Sequence, residues 1–385
     1  MEIATSSVAV PDLRPTIWHL LSNRWNSAIT EYALSSARAL RDRGHRSVFS
    51  PLQNSLAEKR ALSAGLEVMS FKNFSPSAIP QVRSVNKDIK ASVVFTYGGP
   101  ETFLTKFIQS EARIIRFIGQ DIENPAKFQR SWSYSHVEQF ITPNEQLEAK
   151  LNAGYQHSSR TKPITKIYLG LDSEVFRYGQ TLQNFEAEIS LLKSSRPKLV
   201  LLGRLDPIKG HDKFFSIFAH LIKLWERRHP AQSLEQSPLL CIIGEPANLT
   251  VAHLEEMIKN HRLEQHVLFY PKRVHELGAI LNQAHIGVIS SLGSEQICRV
   301  AHEFSLCGVP LFVSGVGATE EALLNSEFGV SYKSCKDDLE TAEALYLSLE
   351  KSLKEQESQR RQRADEAKQI FSLKAMGKSL ENIFS

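Results

Sequence analysis

Residues 295–313 read Glu295-Gln296-Ile297-Cys298-Arg299-Val300-Ala301-His302-Glu303-Phe304-Ser305-Leu306-Cys307-Gly308-Val309-Pro310-Leu311-Phe312-Val313. Gly308 followed by Pro310 is a helix stop. The apolar run Leu311 to Val313 has the length and bounds of a buried strand, and Gly315 and Gly317 follow it. A helix that turns tightly into a short apolar strand is one unit of an α/β sheet. If the helix starts near Glu295, Glu303 lies about two turns along it, ~80° around the axis and ~12 Å along it. Two acceptors so placed suit two different parts of one ligand. Two glutamates eight apart are also an ordinary solvated helix pattern, so the surroundings have to decide.

The same unit recurs on both sides. Towards the N-terminus the strand-like runs are Thr16 to Leu21, Arg46 to Ser50, Ser92 to Thr96, Ile114 to Ile118, Phe140-Ile141 and Ile164 to Leu169, with a periodic helix from Ala28 to Arg43 ended by Gly44. A second series runs Lys198 to Leu202, Leu239 to Ile243, Val267 to Tyr270, Ile286 to Ser290 and Leu311 to Val313. Alternation of strand and helix predicts parallel, doubly wound sheets. Between the series lies a polar stretch, 172–197, containing Gln183-Asn184 and Ser194-Ser195-Arg196-Pro197. The fold expected is α/β, with two Rossmann-like doubly wound parallel-sheet domains facing a cleft. Residues 1–171 form the first domain, 172–197 an interdomain segment and 198–365 the second domain. Residues 366–385 are a C-terminal helix packing back towards the first domain. Ligands of open α/β sheets bind beyond the carboxyl ends of the strands.

At 385 residues, two domains or one large one is the ordinary outcome. No run of 18 apolar residues is present and the first fifteen residues lack a basic segment followed by an apolar one, which predicts neither a membrane span nor a signal peptide. The four cysteines, Cys241, Cys298, Cys307 and Cys335, form no C-x-x-C pair and read as reduced core thiols in a cytoplasmic protein. The histidines show no metal-ligand spacing. The first 171 residues carry 21 Lys and Arg against 14 Asp and Glu, and the rest 25 against 28. Arg38, Arg41, Arg43 and Arg46 cluster at the end of the first helical segment. They read either as a solvated helix end or as a face towards anionic lipid or an anionic acceptor.

Four strand ends of the second series carry chemistry. Leu199 to Leu202 runs into Gly203-Arg204-Leu205-Asp206-Pro207-Ile208-Lys209-Gly210. A glycine directly after a strand lets backbone approach a ligand, and Arg204 and Lys209 place two cations suited to phosphate oxygens in one loop. Leu239 to Ile243 ends in Gly244-Glu245. Val267 to Tyr270 ends in Pro271-Lys272-Arg273-Val274. Ile286 to Ser290 ends in Ser291-Leu292-Gly293-Ser294-Glu295. Amides of Ile297, Cys298 and Arg299 at a helix start would suit a diphosphate. Glycines, cations and acceptors thus converge at one sheet edge.

This array resembles the retaining glycosyltransferases of family 4, which have the two-domain GT-B fold. Arg24-Trp25-Asn26-Ser27-Ala28 with Arg43-Gly44-His45 is similar to the family's opening loop, helix and R-G-H. Leu169-Gly170-Leu171-Asp172 with Phe176 is similar to its hinge. Gly203-Arg204…Lys209-Gly210 is similar to its donor loop, Ile243-Gly244-Glu245 to its I-G-x-G strand end, and Glu295 to Glu303 to its E-x7-E. The phrase Ile297-Cys298-Arg299-Val300 resembles a bacterial subgroup linked to surface polysaccharides.

The resemblance implies transfer of a sugar from a nucleotide-diphosphate sugar to a saccharide, lipid-linked or other hydroxyl acceptor, with retention of configuration. It implies no metal or other cofactor. No nucleic acid partner is expected, and with the cysteine and arginine readings above the place expected is cytoplasmic, with peripheral contact at the inner membrane face. Arg204 and Lys209 would hold the diphosphate and stabilise the leaving group. Glu303 would accept from the ribose hydroxyls, and Glu295 would contact the donor sugar. Arg273 and Val274 would lie beside the base. Gly203, Gly244, Ile297, Cys298 and Arg299 would complete the donor site. Ser27-Ala28 stand where the family has Gly-Gly, so Ser27 is the candidate at the phosphate cradle. Gly119-Gln120-Asp121 stand where it often has a His. Asp121 is therefore the candidate for contacting the sugar or activating the acceptor, or has neither role. Two other readings share these motifs: a nucleotide-sugar epimerase or hydrolase on the same fold, and a non-catalytic nucleotide-sugar-binding scaffold.

Overall fold

The computed structural model describes residues 14–25, 27–108, 111–122, 132–155, 162–181, 194–293 and 295–384. Asn26 of the opening loop, Gln183-Asn184 of the expected interdomain segment and Ser294 lie outside them. The first domain contains strands β1 Ile17–Leu21, β2 Ser47–Pro51, β3 Glu67–Val68, β4 Val93–Thr96, β5 Arg113–Phe117, β6 Gln139–Thr142 and β7 Ile164–Lys166. The second contains β8 Lys198–Leu202, β9 Leu239–Ile243, β10 Val267–Tyr270, β11 Ile286–Ile289, β12 Leu311–Val313 and β13 Gly329–Ser331. The sheet orders are β3-β2-β1-β4-β5-β6-β7 and β10-β9-β8-β11-β12-β13. Neighbours are parallel: Ile17 pairs with Ser47 on one side and Val93 on the other, and Leu199 with Leu240 and Ile286. The two α/β domains form the GT-B fold that was expected.

Both sheets reverse strand order once, at β1/β4 and at β8/β11. Connections on either side of such a point run to opposite faces of the sheet, which leaves a crevice at the strand ends. Central strands are buried on both faces, so they read as unbroken apolar runs. Leu239-Leu240-Cys241-Ile242-Ile243 is one, buried at every position. Helix His211–Arg228 presents Phe214, Phe215, Phe218, Leu221 and Trp225 to that sheet at spacings of three and four. The two-residue β3 and three-residue β13 are edge strands, too short for an alternating pattern to mark them.

The chain passes between the domains twice, side by side. Leu171 N–H donates to Phe371 O at 2.8 Å and Leu373 N–H to Leu171 O at 2.8 Å. A side chain at Gly170 would stand 2.8 Å from Ser372 O and 2.6 Å from Met376 Cβ. Leu169, Leu171, Phe176, Phe371, Leu373 and Met376 carry one apolar cluster through this crossing into both domains. Helix Leu373–Glu381 then lies on helix Ala28–Arg41 in the first domain. A Cβ at Gly377 would be 2.8 Å from Ala39 O.

The arginine cluster takes part in this assembly. Arg38 pairs with Asp172, Arg41 with Asp42 and Arg46 with Glu67, each at 2.7 Å, and Arg43 with Glu381. Its charge is spent on these carboxylates, so it is no bare cationic face. Three of the four cysteines are buried as expected, whereas Cys335 is half-buried. Among the described residues no helix is long and apolar enough to cross a membrane.

Because the crossing is close-packed at Gly170, Gly170→Ala should cost on the order of 1–3 kcal/mol by overpacking. Chemical denaturation of the two proteins measures it. Equal midpoints would show that the crossing has room for a methyl group.

Candidate functional site

The β8 and β11 ends are locked together by backbone. Asp206 caps the turn Pro207–Lys209, accepting from Ile208 N–H at 3.1 Å, and is itself held by Asn248 at 2.8 Å. Gly210 ends that turn at φ +69°, and a Cβ there would be 2.2 Å from Ser290 O. Ser290 Oγ donates to Lys209 O at 2.7 Å, and Leu292 N–H to Ile208 O at 2.7 Å. Lys209 is thereby fixed beside the β11 loop, and its ammonium pairs with Glu295 Oε1. Ser291 Oγ donates to the same oxygen at 2.6 Å. On the other side a Cβ at Gly244 would be 1.8 Å from Gly203 O, so the β8 and β9 ends also meet through glycine.

Glu295 does not begin a helix. The helix is Arg299–Leu306, four residues later. The carbonyl of Glu295, which an α-helix would offer to Arg299 N–H, instead accepts from Ala318 N–H at 2.7 Å. Arg299 N–H turns back to Ile297 O at 2.9 Å, so its amide is not free for a phosphate. The two-turn geometry expected for the glutamate pair is therefore corrected: one acceptor sits in a strand-end loop and the other in a helix.

Glu303 remains the buried carboxylate of that helix, its side chain 3% exposed. Arg299 Nε donates to Glu303 Oε1 at 2.6 Å, and Arg299 Nη1 to Glu31 Oε2 of the first domain at 2.9 Å. Glu31 Oε2 also accepts from Arg60 Nη2 at 2.6 Å. Burial raises the pKa of Glu303 above the usual carboxylate value, and Arg299 only partly offsets it. Burial works against the charge on Arg299 as well, but Glu303 and Glu31 outweigh it and hold its pKa above the ordinary one.

These groups surround two cavities that share Leu202, Arg299 and Val300. The larger, about 430 Å³, is lined by Gly203, Arg204, Gly244, Glu245, Lys272, Arg273, Val274, Glu303 and, from the first domain, Arg60. The smaller, about 140 Å³, takes Lys209, Ser290, Ser291, Glu295, Ile297 and Cys298. With Arg60, Arg204, Lys272, Arg273 and Arg299 against Glu245 and Glu303, the larger space is electropositive. Arg273 Nε pairs with Glu245 at 2.8 Å across its rim. Arg204 has no ion-pair partner among the described residues and is exposed at the mouth. A cation-lined space beside a small polar one fits an anionic ligand with an uncharged polar extension. Another cavity, about 540 Å³, lies away from these groups, between residues 173–179 and helix Glu357–Phe371.

The structure gathers every second-domain residue expected in the site into these two cavities, but not the two from the first domain. Asp121 is exposed, paired with Lys150 and held by Ile122 N–H at 2.8 Å. The Lys150 hydrogen bond keeps its pKa below the usual range, and it lines neither cavity. Ser27 is the N-cap of helix Ala28–Arg41, its hydroxyl accepting from Thr30 N–H at 3.3 Å and Asn23 Nδ2 at 2.7 Å. It lines neither cavity, so its hydroxyl serves the helix start. Gly119 does face the cleft: a Cβ there would be 3.3 Å from Ile297 Cδ1 and 2.5 Å from Phe117. The residues that sequence reasoning missed are Glu31, Arg60 and Ser291. The first two sit in ordinary amphipathic helices with no local signal. Ser291 was in the loop but looked like any strand-end serine.

Residues 183–369 match the family model of glycosyl transferases group 1. Every residue lining the two cavities except Arg60 lies in this segment. No curated protein sequence matches the chain. Among solved structures, HepE of Anabaena in complex with UDP is similar, with a TM-score of 0.73 at 16% identity over 96% of this chain and 99% of that one. A glycosyltransferase from Rickettsia africae has a TM-score of 0.73 at 14% identity over 96% and 98%. Sucrose-phosphate synthase from Thermosynechococcus elongatus has 0.66 at 15% identity over 96% and 98%. The likeness is one of GT-B fold across nearly the whole chain. Among the described residues no group of three or more His, Cys, Asp or Glu is placed to hold a metal ion.

The raised pKa of Glu303 has a sign that can be measured. A carboxyl held above its ordinary value of 4.5 favours folding while protonated and loses that contribution as pH rises from 4.5 through the folded value. Glu303→Gln lacks the titration. The stability difference, variant minus wild type, should therefore grow as pH is raised across that window. Parallel stability curves would mean that Glu303 is not desolvated.

Proposed function

We propose that the chain is a retaining glycosyltransferase of family 4 that moves a sugar from a nucleotide-diphosphate sugar to a hydroxyl acceptor. The observation that carries this is the Lys209–Glu295 pair in the smaller cavity, beside a larger one ringed by cations. The nucleoside takes the larger space, with the base beside Arg273 and Val274 and the ribose on Glu303. The diphosphate takes Arg204 and Lys209. As a phosphate draws the Lys209 ammonium, Glu295 is released to accept from a sugar hydroxyl in the smaller space. Lys209 and Arg204 then neutralise charge that builds on the leaving phosphate, where fixed cations act most strongly. These cations supply the neutralisation that a metal gives elsewhere, so a metal-independent reaction is proposed.

In this reading the acceptor hydroxyl attacks C1 from the face the phosphate leaves. The C1–oxygen bond to the acceptor forms as that to phosphate breaks, and the hydroxyl proton passes to the departing phosphate oxygen. The position of Asp121, paired with Lys150 and outside both cavities, favours this over activation by that carboxylate. HepE is described as bound to UDP and to UDP-glucose, which makes uridine diphosphate sugars the first donors to test. The resemblance of Ile297 to Val300 supports a saccharide or lipid-linked acceptor in bacterial surface polysaccharide or glycoconjugate synthesis, at the cytoplasmic side where nucleotide sugars are made.

The test is turnover with a panel of nucleotide sugars and hydroxyl acceptors, and the anomeric configuration of the product by proton NMR. Lys209→Ala should lower kcat by about 10²- to 10³-fold, and Glu303→Ala should act mainly on KM for the donor. EDTA should leave the rate unchanged. An inverted product would overturn retention, and wild-type rates in both variants would overturn the site.

A further inference from the structure

Glu31 lies in the first turn of helix Ala28–Arg41, and Arg60 in helix Leu56–Ser63. Both belong to the first domain. A glutamate so near a helix start would ordinarily be solvated, yet the Glu31 side chain is only 12% exposed. It is covered by two guanidinium groups that share its Oε2, Arg60 from its own domain and Arg299 from the other. Arg299 reaches with its Nε to Glu303 Oε1. Arg60, Glu31, Arg299 and Glu303 therefore form one line of alternating charge across the cleft. Its net charge is zero, and three of its members, Arg60, Arg299 and Glu303, line the larger cavity.

We propose that Glu31 and Arg60 are positioning residues of the nucleotide-sugar site, acting through Arg299 on the Glu303 carboxylate, so that the donor site is complete only when the two domains are shut. This rests on the reading of the larger cavity as the nucleotide site. A guanidinium is a rigid planar fork, so fixing one edge fixes the direction of the other. With Nη1 held by Glu31, Nε is directed at Glu303 Oε1. Glu303 Oε2 then has no partner among the described residues and is the oxygen left for ligand hydroxyls. If the cleft opens, the Arg299–Glu31 pair breaks and the guanidinium is free to turn across both carboxylate oxygens.

Two further ties join the domains, one of them within the segment 296–303. Asn144, fully buried, donates from Nδ2 to Gln296 O at 2.7 Å, next to Glu295. The Glu321 carboxylate accepts from Glu145 N–H at 2.8 Å and Gln146 N–H at 3.1 Å. The segment 296–303 thus carries the first domain's grip on one side and the donor carboxylate on the other. By linkage, whatever favours closure strengthens the ligand, and the ligand favours closure by the same factor.

Calorimetric titration with uridine, guanosine and adenosine diphosphate tests the proposal on wild type, Glu31→Gln, Arg60→Gln, Glu303→Gln and each first-domain change combined with Glu303→Gln. Thermal melts confirm that each variant is folded. With the nucleotide that wild type binds best, Glu31→Gln and Arg60→Gln should each weaken binding on the order of ten-fold. Each should have little further effect in the Glu303→Gln background, and Glu31→Asp should recover part of the affinity. In turnover the loss should fall on donor KM, with kcat nearly kept. A merely structural bridge would cost the same in both backgrounds, and that result, or unchanged affinity in both single variants, overturns the positioning role alone. Failure of wild type to bind any of the three nucleotides overturns the site reading and this proposal with it.

Discussion

The carboxyl ends of β8, β9 and β11 approach one another so closely that only glycine fits between them. Gly244 faces Gly203 O and Gly210 faces Ser290 O at distances no side chain could occupy. This contact brings Lys209 to Glu295, 86 positions away in sequence, and stacks the cation-bearing loops around one space. Without it the same residues would be separate basic and acidic loops at a sheet edge. Reversal of strand order at β8/β11 opens the crevice, and the glycines let backbone fill its floor while side chains form the walls.

The second constraint is the pair of chain crossings at Leu171 and Ser372. It makes one apolar cluster of the two domains and leads the C-terminal helix back onto the first. His302, one residue before Glu303, stacks on Phe371 with ring centroids 3.9 Å apart and bonds Leu169 O at 3.1 Å. The helix that carries Glu303 is therefore seated on the crossing itself. A rotation about the crossing would part Arg299 of the second domain from Glu31 of the first. Burial raises the pKa of Glu303 and Arg299 offsets only part of that, while the Arg299 Nε hydrogen bond at 2.6 Å orients the carboxyl group.

Much of the fold was legible. The apolar runs of the buried strands located eleven of the thirteen strands among the described residues, because a strand covered on both faces needs no polar residue. The missing two, β3 and β13, are edge strands of two and three residues with no pattern to see. The second-domain site was legible for a different reason. Its parts are consecutive loop residues directly after strands, and parallel topology brings all such loops to one edge. The first domain's share was not. Ser27 and Asp121 occupied suggestive places, but one hydroxyl was needed for a helix cap and one carboxylate had a lysine across a short gap. Glu31 and Arg60 lay in plain helices.

The sequence by itself determined two parallel α/β units and the glycine- and cation-bearing strand-end loops of the second, because local periodicity and strand-end glycines depend only on near neighbours along the chain. Only the tertiary structure decided where the E-x7-E helix begins and which first-domain residues join the line of ion pairs that ends on Glu303. A remote amide took the Glu295 carbonyl, and two helices of the opposite domain supplied Glu31 and Arg60. Both outcomes turn on hydrogen bonds and ion pairs between residues far apart in the chain, and no local pattern records such pairings.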